Sequence, residues 1–535
     1  MNVVNTPRPL FIRCVLTLWI AALAILVGVY SYLLLQWPML RDAQFLHYIA
    51  YLVNEHHFVL YQDIVETSWF GTFLFHMGIG KFFGYTSFAF RLADCVWLAL
   101  LIIITVQVLR KLDNWLAWIG SLSAALAYLH YGPANTLQRD YILLLPIMLA
   151  LLISMHTPWS GNMRAFLIGM CFGAAASIKP HAIIGFPVVL FLLRSQLSDK
   201  PCWLALISYF FLVASSLFAL GLLWLTYCGG LAGFLDITLH YLPLYQELDG
   251  GNSIPSSETR WKDALHWWRY FLWTWPYVIL IAATYAFFNT HTKSLQRALI
   301  FSLVALALCY NIYPLLAGKF WDYHWIPYTY FSVLATSCLL LPPKSYSFSR
   351  VIISFFTGII FLYVMYGQYL PGRGIDDQIR RHPNISINQT QHEKIAQFIH
   401  QHLQPGEKIQ AIDEGGLTPL YLLKAQAVLA TPYLSSIMFL HHINSPYVMH
   451  AQRDFLHRLT TNPPKLFFVM ADFAKPSGAN TLQEVPGIKQ LLQQSYEKIW
   501  ETPSFTFWQY KNLPTTAESQ PAHPAAPDSV APSPP

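Results

Sequence analysis

The chain has 535 residues, 55% of them hydrophobic and only 11% charged, and its mean hydropathy is +0.39. A water-soluble chain carries about 25% charged residues, so the composition excludes an ordinary cytosolic protein, a disordered chain and a collagen. A net charge of +6 with no basic block also excludes a nucleic-acid binder.

Repeated apolar runs identify a mostly α, polytopic membrane protein. In chain order, residues 14–35 follow Arg8 and Arg13 and are too long for the apolar core of a cleaved leader. They read as a signal anchor with a cytoplasmic N-terminus. An outer loop spans 36–91, and its segment 67–90 is apolar but broken by His76, Gly78, Gly80, Lys81 and Gly84. Further runs lie near 92–109, 115–131, 141–156, 165–178, 181–194, 203–227, 265–288, 298–316, 325–341 and 350–369.

Charge decides how 67–90 is read. With that segment interfacial or re-entrant, there are about eleven spans. The inner segments then hold Arg8, Arg13, Arg110, Lys111, Arg164, Arg194, Lys200, Lys293, Arg297, Lys344 and Arg350 against only Asp113 and Asp199. This is the positive-inside asymmetry, and a crossing at 67–90 would invert it. The odd number of spans places the C-terminus outside. The expected domains are a transmembrane unit, 1–369, a small extracytoplasmic α/β domain, 370–512, and a disordered tail, 513–535, rich in Pro and Ala. Within the outer domain a helix is expected at 390–403 and strands at 408–413, 426–431, 465–470 and 505–510. The seven cysteines all precede residue 370 and include no CxxC pair. They indicate neither a disulfide framework nor a thiolate zinc site.

The polar clusters fall on the outer side of this topology. The first outer loop holds Arg41-Asp42, Glu55-His56-His57, Asp63 and Glu66, and Arg91 and Asp94 open the next span. The stretch 130–140 ends in Gln138-Arg139-Asp140, Lys179-Pro180-His181 forms a hairpin tip, and the loop 317–324 contains Lys319 and Tyr323-His324. Any one of these residues could serve only solvation or snorkelling. Acids and bases gathered at one interface carry more weight, because ionisable groups at membrane depth are costly. They suit transfer of a sugar from a polyprenyl-phosphate-linked donor. Fixed cations stabilise the leaving phosphate, and a carboxylate accepts the proton of a hydroxyl or amine acceptor. Nucleotide-activated donors are absent outside the cytoplasm, so a lipid-linked donor supplies the energy.

In their order along the chain, these residues resemble the GT-C class of integral-membrane glycosyltransferases, in the branch of protein O-mannosyltransferases and lipid A aminoarabinose transferase. Asp42 matches the catalytic acid just after the first span. Tyr61-Gln62-Asp63 is similar to a later Tyr-x-Asp, and Phe83-Gly84 with Phe90-Arg91 resembles the family's Phe-Gly and the Arg that opens span two. Gln138-Arg139-Asp140, Lys179-Pro180-His181 and Lys319 with Tyr323-His324 resemble sequences in bacterial members. There are two departures. Ala43 follows Asp42 where many members have Glu, and Thr67-Ser68-Trp69 follows Glu66 where the aminoarabinose transferase has Lys-Pro-Pro.

The resemblance implies a GT-C-like fold and Asp42 as general base, with inversion at the anomeric carbon and with Asp63 and Glu66 orienting the acceptor or the base. The outer helix ends offer Arg91, Arg139, Lys179 and Lys319, with His324 nearby, for the donor phosphate. The expected partners are the polyprenyl-phosphate-linked sugar, a glycan, lipid or protein acceptor, and membrane lipids. No cofactor is implied; a divalent ion is compatible with such a site, but no metal-ligand spacing indicates one. The expected location is the bacterial inner membrane, with the C-terminal domain in the periplasm. The alternative is a transporter or flippase of lipid-linked saccharides, for which internal repeats and midplane charges would be expected.

Overall fold

The computed structural model describes residues 9–197, 203–248, 254, 256, 258–272, 294–341, 392–412, 418–470 and 485–511. The expected span 350–369, the greater part of 265–288 and the tail 513–535 lie outside these residues.

Five described helices are long and apolar enough to cross a membrane: Leu10–Leu35 (α1), Ser87–Leu109, Gly161–Ile178, Trp203–Cys228 and Ser294–Ala317. Their outward faces are apolar. Leu204, Leu212, Leu220 and Leu223 of Trp203–Cys228 are 60–70% exposed, a surface suited to lipid and not to water. The chain is an integral membrane protein. After α1, helix α2 (Asp42–His56) and helix α3 (Phe70–Phe83) occupy the first loop, and the next long helix is α4 (Ser87–Leu109). At about 1.5 Å per residue, the 14 residues of α3 are shorter than a bilayer core. Gly84, at φ 94°, ends α3 and separates it from α4.

Several other expected spans are built from pieces. Arg139–Ile142 (α6) precedes Leu144–Ser154 (α7), a 3-10 turn at Pro180–Gly185 precedes Phe186–Ser195, and another at Asp322–Trp325 precedes Ile326–Ser337. Pro180, Pro187 and Pro327 sit in the first turns, where a missing N–H costs no helical bond. These breaks expose helix ends on one side of the bundle. Irregular backbone at that depth is tolerated only where protein or a polar cavity surrounds it.

The C-terminal part folds around a five-stranded sheet of order β2-β1-β3-β5-β4, made of β1 (Lys408–Ile412), β2 (Val428–Leu429), β3 (Leu466–Met470), β4 (Tyr496–Glu501) and β5 (Phe505–Tyr510). β1 pairs in parallel with β2 and β3, while β5 is antiparallel to β3 and β4. The sequence patterns place four of these strands. The edge strand β4 escapes them because Glu497, Lys498 and Glu501 interrupt its apolar alternation, a common way of blunting an edge.

This domain docks onto the first loop and onto residues 231–247. Tyr48 Oη donates to Ala427 O (2.8 Å), Val65 N to Pro432 O (2.9 Å) and Tyr447 Oη to Asp236 Oδ2 (2.7 Å), while His442 Nε2 meets Glu247 O at 2.6 Å. Two loops expected outside therefore share a face with the C-terminal domain. Elsewhere Gln296 Nε2 donates to Lys111 O (3.1 Å) and Leu112 O (3.3 Å), which joins two segments both expected inside.

Candidate active site

Asp42 opens α2, where the free N–H groups of the first helical turn favour an anion. The preceding residue, Arg41, has φ 52° and makes the sharp turn from α1 into α2. Arg41 itself points to solvent. The cation that meets Asp42 is Arg139, from α6 and 97 positions away, with Nη2 to Oδ2 at 3.1 Å. Asp42 is 36% exposed and Arg139 only 19%, so the carboxylate can be reached while the guanidinium holds it from behind. Arg139 Nη1 also donates to Ser68 Oγ (2.8 Å), and Ser68 donates from Oγ (2.9 Å) and N (3.1 Å) to Glu66 Oε1. The result is one continuous chain, Asp42–Arg139–Ser68–Glu66. Burial pushes the Glu66 carboxyl above its ordinary range, and Arg139 and the Ser68 hydrogen bonds only partly offset this.

Lys179 caps the C-terminal end of the Gly161–Ile178 helix and binds both oxygens of Asp140, at 2.8 and 3.0 Å. Asp140 is fully buried. Burial lowers the Lys179 ammonium to about 8, although Asp140 pulls it upward. Lys319 follows Gly318, whose φ of 70° suits glycine; a Cβ there would lie 2.6 Å from the Arg260 guanidinium. The Lys319 ammonium sits 3.9 Å from the centre of the Tyr245 ring and 4.8 Å from that of Trp321. Among the described residues it has no ion-pair partner. Burial, reinforced by the positive charges of Arg139 and Lys179, lowers it to about 7, with Asp42 and Glu66 opposing. His324 is buried beside Tyr323, and burial together with Lys179, Lys319 and Arg139 holds it well below the usual histidine range.

The fold thus gathers Asp42, Glu66, Arg139, Lys179, Lys319 and His324. It places two expected residues differently. Arg91 is fully buried, and its guanidinium donates to the carbonyls of Trp37 (3.3 Å), Pro133 (3.1 Å) and Pro38. It pins the exit of α1 to the 133–138 loop and has no face left for a phosphate. Asp63 accepts from Val59 N at 2.7 Å and closes its own turn. Sequence reasoning passed over Ser68, Asp140 and Tyr245 as site residues. Asp140 adjoins Arg139 in a motif already singled out. Ser68 carries no local signal, since it gains its role from Arg139, a partner distant in sequence.

An open cavity of ≈ 60 Å³ adjoins Glu66, between the first loop, residues 241–245 and residues 433–438 of the C-terminal domain.

No protein-family profile matches this chain, and no curated protein matches it in sequence. Solved structures do match in fold. ArnT from Cupriavidus metallidurans, bound to undecaprenyl phosphate, superposes with a TM-score of 0.56 at 12% identity, over 94% of this chain and 100% of that one. The same protein in its apo state gives 0.54 at 11% identity, over 92% and 98%. The fold is that of ArnT over nearly its whole length, which agrees with the GT-C-like architecture that the motif order implies.

Proposed function

We propose that the protein transfers a sugar from a polyprenyl-phosphate-linked donor to an acceptor on the outer side of the bacterial inner membrane. The Asp42–Arg139–Ser68–Glu66 chain, beside a Lys319 that has no ion-pair partner among the described residues, carries this reading. It supplies a reachable carboxylate and, within the same electrostatic cluster, a cation held by aromatic rings. The ArnT fold supports it, as does the undecaprenyl phosphate bound to ArnT in one of those structures.

In the proposed reaction the acceptor's hydroxyl or amine attacks the anomeric carbon from the face opposite the phosphate, and the configuration inverts. The bond from that carbon to the phosphate oxygen breaks, and its electron pair leaves with the polyprenyl phosphate. Asp42 takes the acceptor's proton, worth roughly 10²–10⁴ in rate. Lys319 and Arg139 stabilise the charge that grows on the phosphate. Asp140 fixes Lys179 as a second layer of positive charge, and Glu66 orients the acceptor. Tyr323 and His324 close the site around the same cations.

The test uses the full chain in lipid nanodiscs, radiolabelled undecaprenyl-phosphate sugars and envelope extract as acceptor source. Release of undecaprenyl phosphate, coupled to label in the extract and abolished by Asp42→Asn, is expected. Equal release from the variant would remove Asp42 as the base, and release from neither protein with any donor sugar would sink the reading. For topology, cysteines placed at 111 and 442 should react oppositely with an impermeant thiol reagent in intact cells. Labelling at 111 alone would reverse the proposed orientation.

A further inference from the structure

The cavity shares Glu66 with the charged cluster and borders Lys319 through Tyr245, but its lining residues are otherwise of a different chemistry. Its polar lining among the described residues is Glu66, Thr67, Tyr241, Tyr245, Tyr433 and Ser435; the remainder is aliphatic, with Met438 in the far wall. No Lys, Arg or His is among these residues. Such a lining has one carboxylate, several hydroxyls and three aromatic rings. It suits a sugar ring, which presents hydroxyl donors at its edge and C–H groups on its face. It disfavours a phosphate or carboxylate, because the described lining offers the Glu66 carboxyl and no cation of its own, the Lys319 ammonium being turned to the Tyr245 ring.

The walls are built for this position. Residues Ile237–Tyr241 form a single π-helical turn, a feature that re-aims side chains and recurs at functional sites. It is followed by the short helix Leu242–Tyr245, so Tyr241 and Tyr245 both reach the cavity. The opposite wall comes from the C-terminal domain, and three hydrogen bonds hold the walls together: Val65 N to Pro432 O, Tyr447 Oη to Asp236, and His442 to Glu247 O. Tyr433 is held in turn by Asp454 Oδ2 at 2.8 Å. Tyr245 also meets Lys319, the cation proposed for the leaving phosphate. One tyrosine therefore separates the phosphate end of the site from the cavity.

We propose that this cavity is the acceptor subsite, and that it takes a saccharide free of anionic groups, neutral or carrying an amine, whose hydroxyl is the nucleophile. The assignment rests on the glycosyltransferase reading above. It excludes a phosphorylated or uronic sugar at this position. The acceptor, not the donor, is chosen because half the wall is outer domain, whereas a lipid-linked donor arrives from the bilayer at the cation cluster.

The experiment is saturation-transfer NMR on the full chain in nanodiscs, with the methyl α-glycosides of glucose, mannose and galactose and the 6-phosphate of each. At least one neutral glycoside should give signals at millimolar concentration, with its 6-phosphate at least tenfold weaker. Met438→Trp, which fills the cavity, should reduce those signals to background. Ser435→Ala, a smaller change, should weaken them severalfold. In both variants the binding of undecaprenyl phosphate should persist, which separates this test from that of the transferase reading. Absence of signals from all three neutral glycosides, equal signals from the 6-phosphates, or unchanged signals in both variants would overturn the proposal. Farnesyl-phosphate glucose provides the last arm. Binding alongside the glycoside supports an acceptor subsite, whereas competitive displacement would give the cavity to the donor's sugar and overturn the assignment.

Discussion

Arg91 and Arg139 are both arginines near the start of a helix, and both stand in motifs of the same resemblance. Arg91 donates to three backbone carbonyls where α1 leaves the bundle and is sealed from solvent. Arg139 donates to two side chains, Ser68 and the Asp42 carboxylate, the latter 36% exposed. The difference lies in the acceptors. Carbonyls of an irregular segment need donors whether or not a substrate is present, so a guanidinium among them holds the fold. One held by a reachable carboxylate and a hydroxyl leaves room for chemistry. A cation's environment, not its depth or its motif, separates scaffold from site.

The largest effect that sharpens this contrast is at Asp42. Asp42→Asn keeps the shape and the contact to Arg139 but removes the basic oxygen, so transfer should fall by about 10²–10⁴ with unfolding unchanged. Turnover within threefold of wild type would place the base elsewhere. Arg91→Met should show the opposite signature. Three carbonyls lose a charged donor, and the thermal unfolding midpoint should drop with a stability loss of order 3 kcal/mol. Transfer per folded molecule should hold. A fall in donor affinity with an unchanged midpoint would return Arg91 to the site.

An intermediate effect comes from pH. Burial lowers the Lys319 ammonium to about 7, and a phosphate binds its charged form. The donor KM should therefore be flat below about pH 7 and rise by up to about tenfold per unit above it, because binding then requires proton uptake. Lys179 titrates near 8, and Lys319→Arg, which stays charged, should move the limb up to that value. A profile identical in wild type and variant would remove Lys319 from donor binding. The smallest effect is at Asp63, whose carboxylate only closes the 59–63 turn. Asp63→Asn should change turnover less than threefold and cost about 1 kcal/mol in stability, and a hundredfold loss of turnover would undo that assignment.

The membrane class, the helix-rich architecture, the side shared by the loops and four of the five strands were legible from hydropathy, charge asymmetry and period. These are properties of short windows, and the bilayer enforces them one segment at a time. Asp42, Glu66 and the cations of the motifs were legible as candidates for the same reason: each polar group near an apolar run stands out locally. Their roles were not legible. The chain neighbour Arg41 was the natural partner for Asp42, yet Arg139 takes that place, and Ser68 links it to Glu66 although nothing around Ser68 in sequence marks it. Arg91 and Lys319 read alike as cations at helix ends. Three carbonyls enclose one, and two aromatic rings receive the other. Sequence determined which groups are chemically able to act. Only the packing of segments some hundred residues apart decided which of them are already satisfied, because the energy of a buried charge depends on the groups within a few ångströms of it and not on its neighbours along the chain.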